Sequence, residues 1–217
     1  MTLGSAVNIA LRLAMLAMVA EVLRAGRDDP RFARKGIATR FTLVGLPATL
    51  LVPALWAWNR RRLISRGLPP DAYPVWVDSL YVSLFVLDLA GNVFDVYDRY
   101  THFDLIPHAH GGGAIAVLAA WLLRLPVSRA IVAAMIGHAL LEGQEYASDV
   151  AFGLHNVRGA WDMAGDLGAG LAGSLVYAAA YQRLVRDAGR EPLSPLREPA
   201  PSRLDTESNL GRYGPFA

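Results

Sequence analysis

The sequence predicts an all-α protein, a polytopic transmembrane helix bundle of about six spans. The chain of 217 residues is 53% hydrophobic and only 18% charged, whereas soluble domains average about 25% charged residues. Its mean hydropathy is +0.29. Six segments approach the roughly 20 apolar residues that a helix needs to cross a bilayer. None of them alternates in the manner of a transmembrane β-strand.

Helix-start signals and interfacial aromatic residues support these segments. Pro74 and Pro107 lie where a helix begins, and the missing N–H of proline costs little there. Asp104 is a suitable N-cap for the helix that follows it. Tryptophan and tyrosine cluster near segment ends, as they do at membrane interfaces. The predicted spans are residues 3–23, 41–58, 75–94, 105–123, 128–146 and 161–182.

The distribution of arginine predicts the orientation of the last four segments, because short cytoplasmic loops are enriched in Lys and Arg. Loops 59–66 and 124–129 are basic, whereas loops 95–104 and 148–160 are poor in arginine. The pattern predicts a multi-pass membrane protein with a transmembrane domain over residues 1–186. The proline-rich, polar tail 187–217 is predicted to be disordered and cytoplasmic.

The first third of the chain breaks that alternation. Loop 24–40 is as basic as loop 59–66, so two basic loops flank the second segment. Either the second segment is a proline-kinked re-entrant hairpin, or the first segment, which contains Arg12, is an interfacial helix, or the charge rule fails here. We favour six spans with one loop that violates the rule.

Ionisable residues concentrate in the last four segments, where they are expected to face a bundle interior or a cavity. Residues 78–166 contain ten acids and all five histidines, against four arginines. On each segment they recur three or four positions apart, which is one face of a helix. The four faces are Asp88/Asn92/Asp95, Asp104/His108, His138/Glu142/Glu145 and Asp162/Asp166. The predicted topology brings all four toward the extracytoplasmic side.

Such a cluster suits a divalent metal ion. Carboxylates and neutral imidazoles bind Zn, Mn or Fe, and an all-oxygen subset suits Mg or Ca. Without an ion, several carboxyl groups would stay protonated and would suit proton transfer instead. The candidate metal ligands are Asp104, His108, Glu142, Glu145 and Asp166, with Asp88, Asp95 and Asp162 as weaker candidates.

The same residues also have purely structural interpretations. Asp104 and Asp162 lie in first helical turns, where an acid complements the helix dipole. Asp95 can be a solvated loop residue, and His110 a structural one. Polar side chains can also hold membrane helices together without further function. The glycines of Gly111–Gly113 and of residues 165–173 predict close helix packing.

Composition and motifs argue against cysteine-based chemistry, nucleotide cofactors and nucleic-acid binding. The chain has no cysteine, which excludes thiolate metal sites and cysteine nucleophiles. No phosphate-binding loop or nucleophile elbow is present, so no nucleotide cofactor is predicted. The net charge of +2, without a basic helix, argues against nucleic acid as a partner. Membrane lipids are the expected partners.

Three functions remain open. The first is a membrane protein with a cation-linked or proton-linked polar site. The second is a metal-dependent enzyme acting on a lipid or cell-envelope intermediate, with Glu142 or His108 as the candidate catalytic base. The third is a structural membrane protein whose polar cluster joins helices. A proton pathway ranks lower, because Asp78 is the one acid placed to continue it toward the inner face.

Short motifs in this region resemble a known family. They are Phe103-Asp104, His108 and Gly112, then Glu142 and Glu145, then Trp161-Asp162-Met163 and Asp166–Ala169. They are similar to the YjdF-type inner-membrane protein family and, more distantly, to VanZ-like proteins, over about residues 85–182. The resemblance implies a helical membrane core at about 75–182 and a location in the bacterial inner membrane. VanZ-like proteins are associated with glycopeptide resistance, but Asp166 stands where they usually carry Asn.

Overall fold

The computed structural model describes residues 1–26, 28–67, 72–100 and 102–187. Within these ranges six long helices account for most of the chain, and no strand is present. We number them α1 (Leu3–Ala25), α2 (Ile37–Ser65), α3 (Val75–Val93), α4 (Leu105–Leu122), α5 (Val127–Phe152) and α6 (Ala160–Asp187). One further helical turn, Val96–Arg99, follows α3. The predicted tail lies outside the described residues, apart from Asp187.

Four of the six helices, α1 to α4, are long and apolar enough to cross a membrane. The all-helical prediction is therefore confirmed, and the membrane prediction is supported by four helices rather than six. The remaining two, α5 and α6, are 26 and 28 residues long. They are not among the four, and polar residues such as His138 and Glu142 lower the hydropathy of α5.

Helix α5 has its polar and apolar faces reversed relative to a soluble amphipathic helix. Its buried positions form one face: Ala130, Ala134, His138, Glu142 and Glu145. On the other side, Val132, Ile136 and Leu140 are more than half exposed. Helix α5 thus presents apolar residues outward and ionisable residues toward the other helices. The acids of α5 therefore point into the bundle.

The six helices alternate in direction. We call the end where α1, α3 and α5 finish, and where α2, α4 and α6 begin, the acidic end. Helix α2 runs the length of the bundle, from Arg40 beside Glu145 at the acidic end to Trp56 against Tyr73 at the other. It does not turn back as a re-entrant hairpin would.

The basic loop between α1 and α2 lies at the acidic end. Lys35 pairs with Asp98 at 2.6 Å, and Arg40 at the start of α2 pairs with Glu145 at 2.7 Å. Within the loop, hydrogen bonds from Arg31 lower the pKa of Asp29 to about 2. Two of the basic residues that disturb the predicted alternation of loop charges are therefore paired with acids of the same protein.

Helix α2 is interrupted where its prolines predict a disturbance. Helical residues Ile37–Arg40 pass into a π-helical turn, Phe41–Gly45, and a short piece, Leu46–Ala48. After a turn at residues 49–50, a regular helix covers Leu51–Ser65. Proline has no N–H to donate to the carbonyl four residues earlier, and for Pro53 that carbonyl belongs to Thr49.

Arg12 of α1 supplies the missing donor at this break. Its Nη1 donates to the Thr49 carbonyl at 3.1 Å, and its Nη2 donates to Asp78 Oδ2 at 2.8 Å. One guanidinium thus joins α1, α2 and α3. This double role accounts for an arginine in the middle of an apolar segment.

Helices α4 and α6 share the most extensive helix–helix contact of the described residues. Gly112 lies against the backbone of Gly170, and Gly173 lies against the backbone of Ala109. A β-carbon at either glycine would overlap that backbone, as expected for small-residue packing. Gly113 accommodates the ring of Tyr177 in the same interface. This packing holds α6 beside α4 and α5, where the candidate site forms.

Candidate metal centre

Three helices bring four ionisable side chains together inside the bundle: His108 from α4, His138 and Glu142 from α5, and Asp166 from α6. We call these four residues the histidine cluster. His138 and Glu142 share a face of α5 because they are four residues apart. Gly170 of α6 leaves room for the His138 ring, since a β-carbon there would overlap its Nδ1 atom.

The polar atoms of this cluster are close enough to bind one ion. His108 Nδ1 lies 2.8 Å from His138 Nε2. Each of these nitrogens lies 3.4 Å from Glu142 Oε1. The two rings are parallel within 4°, with centroids 5.0 Å apart. Such separations are compatible with an ion about 2.0–2.2 Å from each of the three atoms, the usual distance for zinc.

The two carboxylates of the histidine cluster are deeply buried. Glu142 is 2% exposed and Asp166 is 5% exposed. Among the described residues, neither Glu142 Oε1 nor Asp166 Oδ1 has a hydrogen-bond partner. Burying an ionised carboxylate without an opposite charge lowers the stability of a protein by roughly several kcal/mol. The donor set and the unpartnered oxygens therefore fit a bound cation.

A second group of acids adjoins the first and shares Asp166 with it. The ligand atoms of Asp104, Asp162 and Asp166 all lie within 4.8 Å of one another. We call these three residues the aspartate cluster. Its link to the histidine cluster is the 3.7 Å separation between Asp166 Oδ1 and His108 Nε2.

Arg158 supplies positive charge to the aspartate cluster. Its Nη2 donates to Asp104 Oδ2, and its Nε lies 3.5 Å from Asp162 Oδ1. Both acids also accept hydrogen bonds from backbone N–H groups at a helix start, which fits their predicted places in first helical turns. Asp104 accepts a hydrogen bond from the N–H of Leu105 at 3.0 Å, and Asp162 accepts one from the N–H of Arg158 at 2.9 Å.

Two predicted ligands, Glu145 and Asp88, lie outside both clusters because Arg40 holds them. The Arg40 guanidinium lies 2.7 Å from Glu145 Oε1 and 3.3 Å from Asp88 Oδ2. The hydroxyl of Tyr97 also donates to Asp88, at 2.9 Å. Burial and the nearby Asp88 charge raise the pKa of Tyr97, so this hydroxyl keeps its proton.

Asp95 and His110 contact other side chains outside the two clusters. Asp95 has a φ of 60° and pairs with Arg99 at 3.2 Å, which fits its interpretation as a loop residue. His110 bridges two helices, with Ser83 Oγ and Tyr177 OH each 2.8 Å from one of its ring nitrogens. Its structural interpretation therefore fits its contacts.

Sequence reasoning placed Glu142, His108 and Asp166 among the candidate ligands but left out His138. The signal was available, because His138 precedes Glu142 by one helical turn on the same face. Sequence reasoning also missed the roles of Arg40 and Arg158. No local pattern connects Arg40 to Glu145, which lies far along the chain, so that pairing depends on tertiary structure.

No family model matches the chain, and no match was found among curated proteins or solved structures. The resemblance to YjdF-type and VanZ-like proteins therefore stays a prediction. The site must be interpreted from its own geometry. That geometry comprises an all-helical chain with four candidate spans and two buried groups of His, Asp and Glu that could hold a metal ion.

Proposed function

We propose that this chain is a membrane protein whose function depends on a divalent transition-metal ion bound by His108, His138 and Glu142. The observation that carries the proposal is Glu142 Oε1, a buried oxygen with no described hydrogen-bond partner, 3.4 Å from an imidazole nitrogen on each of two other side chains. Two imidazoles and one carboxylate suit zinc, iron or manganese.

In the proposed topology all six helices cross the inner membrane, with the acidic end extracytoplasmic and the C-terminal tail cytoplasmic. The outward apolar face of α5 and the alternating helix directions support six spans. The arginines after α2, between α4 and α5, and at the end of α6 support the orientation, since basic loops favour the cytoplasmic side. The metal site would then lie near the outer leaflet.

A second candidate function is a metal-dependent enzyme acting on a lipid or cell-envelope intermediate. Three protein ligands with an open fourth position are typical of catalytic rather than structural zinc sites. An ion in such a site supplies Lewis acidity and activates water. If His108 and Glu142 bind the ion, the base role passes to Asp166, whose unpartnered Oδ1 lies 3.7 Å from His108 Nε2.

Metal analysis of the purified protein tests the first proposal. We expect about one equivalent of zinc, iron or manganese per chain, and stabilisation of about 2.7 kcal/mol when free metal is 100 times its Kd. Glu142→Gln and His138→Gln should both lose this metal. Glu145→Gln is the matched control, because it makes the same change on the same buried face but beside Arg40.

Failure to bind or be stabilised by any of the three metals would contradict the proposal. The structural alternative would then account for the histidine cluster, as polar contacts between helices. Equal metal loss in Glu142→Gln and Glu145→Gln would also contradict the assigned ligands, because only the former residue lies between the imidazoles.

A further inference from the structure

The aspartate cluster carries more negative charge than its described partner supplies. Asp104, Asp162 and Asp166 bring three carboxyl groups together, and Arg158 contributes one positive charge to Asp104 and Asp162. Asp104 is 8% exposed and Asp166 is 5% exposed, so solvent screens both of them poorly. Like charges at such distances repel strongly in a medium of low dielectric constant.

The contacts of Arg158 with the cluster are to Asp104 and Asp162, and Asp166 is the third member. Its Oδ1 is buried and has no hydrogen-bond partner among the described residues. Asp104, by contrast, accepts hydrogen bonds from the N–H of Leu105 and from the Arg158 guanidinium. Asp162 accepts one from the backbone N–H of Arg158, and the Arg158 guanidinium lies 3.5 Å from its other oxygen. One carboxylate of the three therefore has a buried oxygen without a described partner, and the other two face the Arg158 guanidinium.

Arg158 lies on the loop between α5 and α6, and its side chain is half exposed. Residues 153–159 connect α5 to α6, and the glycines at both ends, Gly153 and Gly159, have positive φ values of 66° and 136°. The Arg158 side chain is 47% exposed, in contrast to 10% for its partner Asp104. A cavity of about 390 Å³ lies beside this loop, and Val157 and Gly159 line it.

We propose that the aspartate cluster is a second cation site, and that the Arg158 guanidinium occupies it when the cation is absent. Three carboxylates form an all-oxygen donor set, which suits a hard divalent cation such as Mn²⁺ or Mg²⁺. Cation binding displaces Arg158 toward the solvent beside the loop. This site differs in donor chemistry from the histidine cluster and does not require a metal there.

Mn²⁺ titration of the full-length protein in detergent, followed by electron paramagnetic resonance, tests this proposal. The titration is done in the His138→Gln background, which disables the histidine cluster. Arg158→Gln should tighten Mn²⁺ binding by at least about fivefold, the lower end of typical coupling between linked ligands. Adding Asp162→Asn to Arg158→Gln should weaken binding again.

Arg99→Gln is the matched control, since it removes an equal charge from the neighbouring loop at the same end of the bundle. Arg99 is exposed and pairs with Asp95, so its loss should change the Mn²⁺ affinity less than about twofold, as expected for a screened surface charge. Arg158→Lys provides a second variant that keeps the charge but not the fork of donors, and it should tighten binding less than Arg158→Gln.

Two results would overturn the proposal. One is no Mn²⁺ binding to Arg158→Gln or Arg158→Lys, provided that each variant elutes as the folded protein in size-exclusion chromatography. The other is an equal change in Arg158→Gln and Arg99→Gln, which would show a long-range charge effect instead of competition for one position. Zinc content measured separately in the chain with His138 intact reports on the histidine cluster, so the two proposals fail independently.

Discussion

Two buried polar clusters in this bundle differ in how they match negative charge. At the end opposite the acidic end, Asp78 is fully buried, and its Oδ2 accepts hydrogen bonds from Asn8, Arg12 and Tyr73 at 2.8, 2.8 and 2.7 Å. We call these four residues the arginine cluster. Although Asp78 Oδ1 has no described partner, the carboxylate has a guanidinium beside it.

In the histidine cluster the buried carboxylates face imidazoles instead. Glu142 lies 3.4 Å from two ring nitrogens, and imidazoles carry charge only when protonated. A guanidinium is permanently charged, so the arginine cluster is complete without a ligand. Burial of a charged side chain alone therefore does not distinguish a functional site from a structural one. The distinction lies in whether the protein itself supplies the opposite charge.

Among substitutions that test the difference between the two clusters, Arg12→Leu should cause the largest loss of stability. Removing one partner of a buried ion pair typically costs about 3–5 kcal/mol, because the other charge stays buried and unmatched. The free energy of unfolding in detergent, measured by denaturant titration, checks this expectation. Arg24→Leu is the control in the same helix, because Arg24 is exposed and solvent screens its pair with Glu21, so its loss should have little effect.

The Arg12→Leu, Asp78→Leu double substitution should recover much of that loss, since no unmatched charge then remains. If Arg12→Leu and Arg24→Leu lower the unfolding free energy equally, the arginine cluster is not the structural element that we describe. Recovery is expected to be incomplete, because the Thr49 carbonyl still lacks the donor that Arg12 provides.

An intermediate effect is expected from Gly170→Ala, which crowds the His138 ring without changing any charge. The new β-carbon would overlap His138 Nδ1, and overpacking of this kind costs about 1–3 kcal/mol. Metal affinity of the histidine cluster should fall together with stability. Calorimetric zinc titration and thermal unfolding of the same preparation measure both.

Gly168→Ala is the control for this substitution, because nothing lies within 4 Å of a β-carbon at that position. It should be neutral, or stabilising by up to about 1 kcal/mol through helix propensity. Unchanged metal affinity in Gly170→Ala would contradict the claim that the small size of Gly170 positions the His138 ring for metal binding.

The smallest effect is expected from Glu142→Gln in metal-free protein. This substitution replaces a buried carboxyl group that has no permanent cation beside it with a neutral group of the same shape, so it should destabilise the protein by less than about 1 kcal/mol or stabilise it. Asp78→Asn, the equivalent change in the arginine cluster, should destabilise more because it leaves Arg12 unmatched. Thermal unfolding after chelator treatment compares the two variants, and the opposite ranking would contradict our distinction between the clusters.

The sequence predicts the part of this architecture that depends on local periodicity. Helix positions and the shared face of His138 and Glu142 follow from spacing along one segment. Glu142 and Glu145 look equivalent by that criterion, yet one faces two imidazoles and the other faces Arg40. The two residues differ because α2 places Arg40 beside Glu145. The spacing of residues within α5 cannot predict this contact between helices.

The same limit explains the basic loop between α1 and α2. Its composition predicts a cytoplasmic position, but Lys35 pairs with Asp98, which is 63 residues away in the sequence. The orientation rule considers each loop separately, whereas these charges are matched across loops. Arginine counts alone reveal the two basic loops that flank α2. The contacts that match the charges of the first loop depend on tertiary structure.

The bond between Arg12 and the Thr49 carbonyl has a consequence for biogenesis. An arginine at the centre of a helix raises the free energy of membrane insertion by about 2.5–3.5 kcal/mol on the translocon scale. Its stabilising partners, Thr49 and Asp78, belong to helices that are synthesised later. If α1 inserts into a bilayer, the cost of Arg12 is therefore offset only once α2 and α3 have been translated and can provide these contacts.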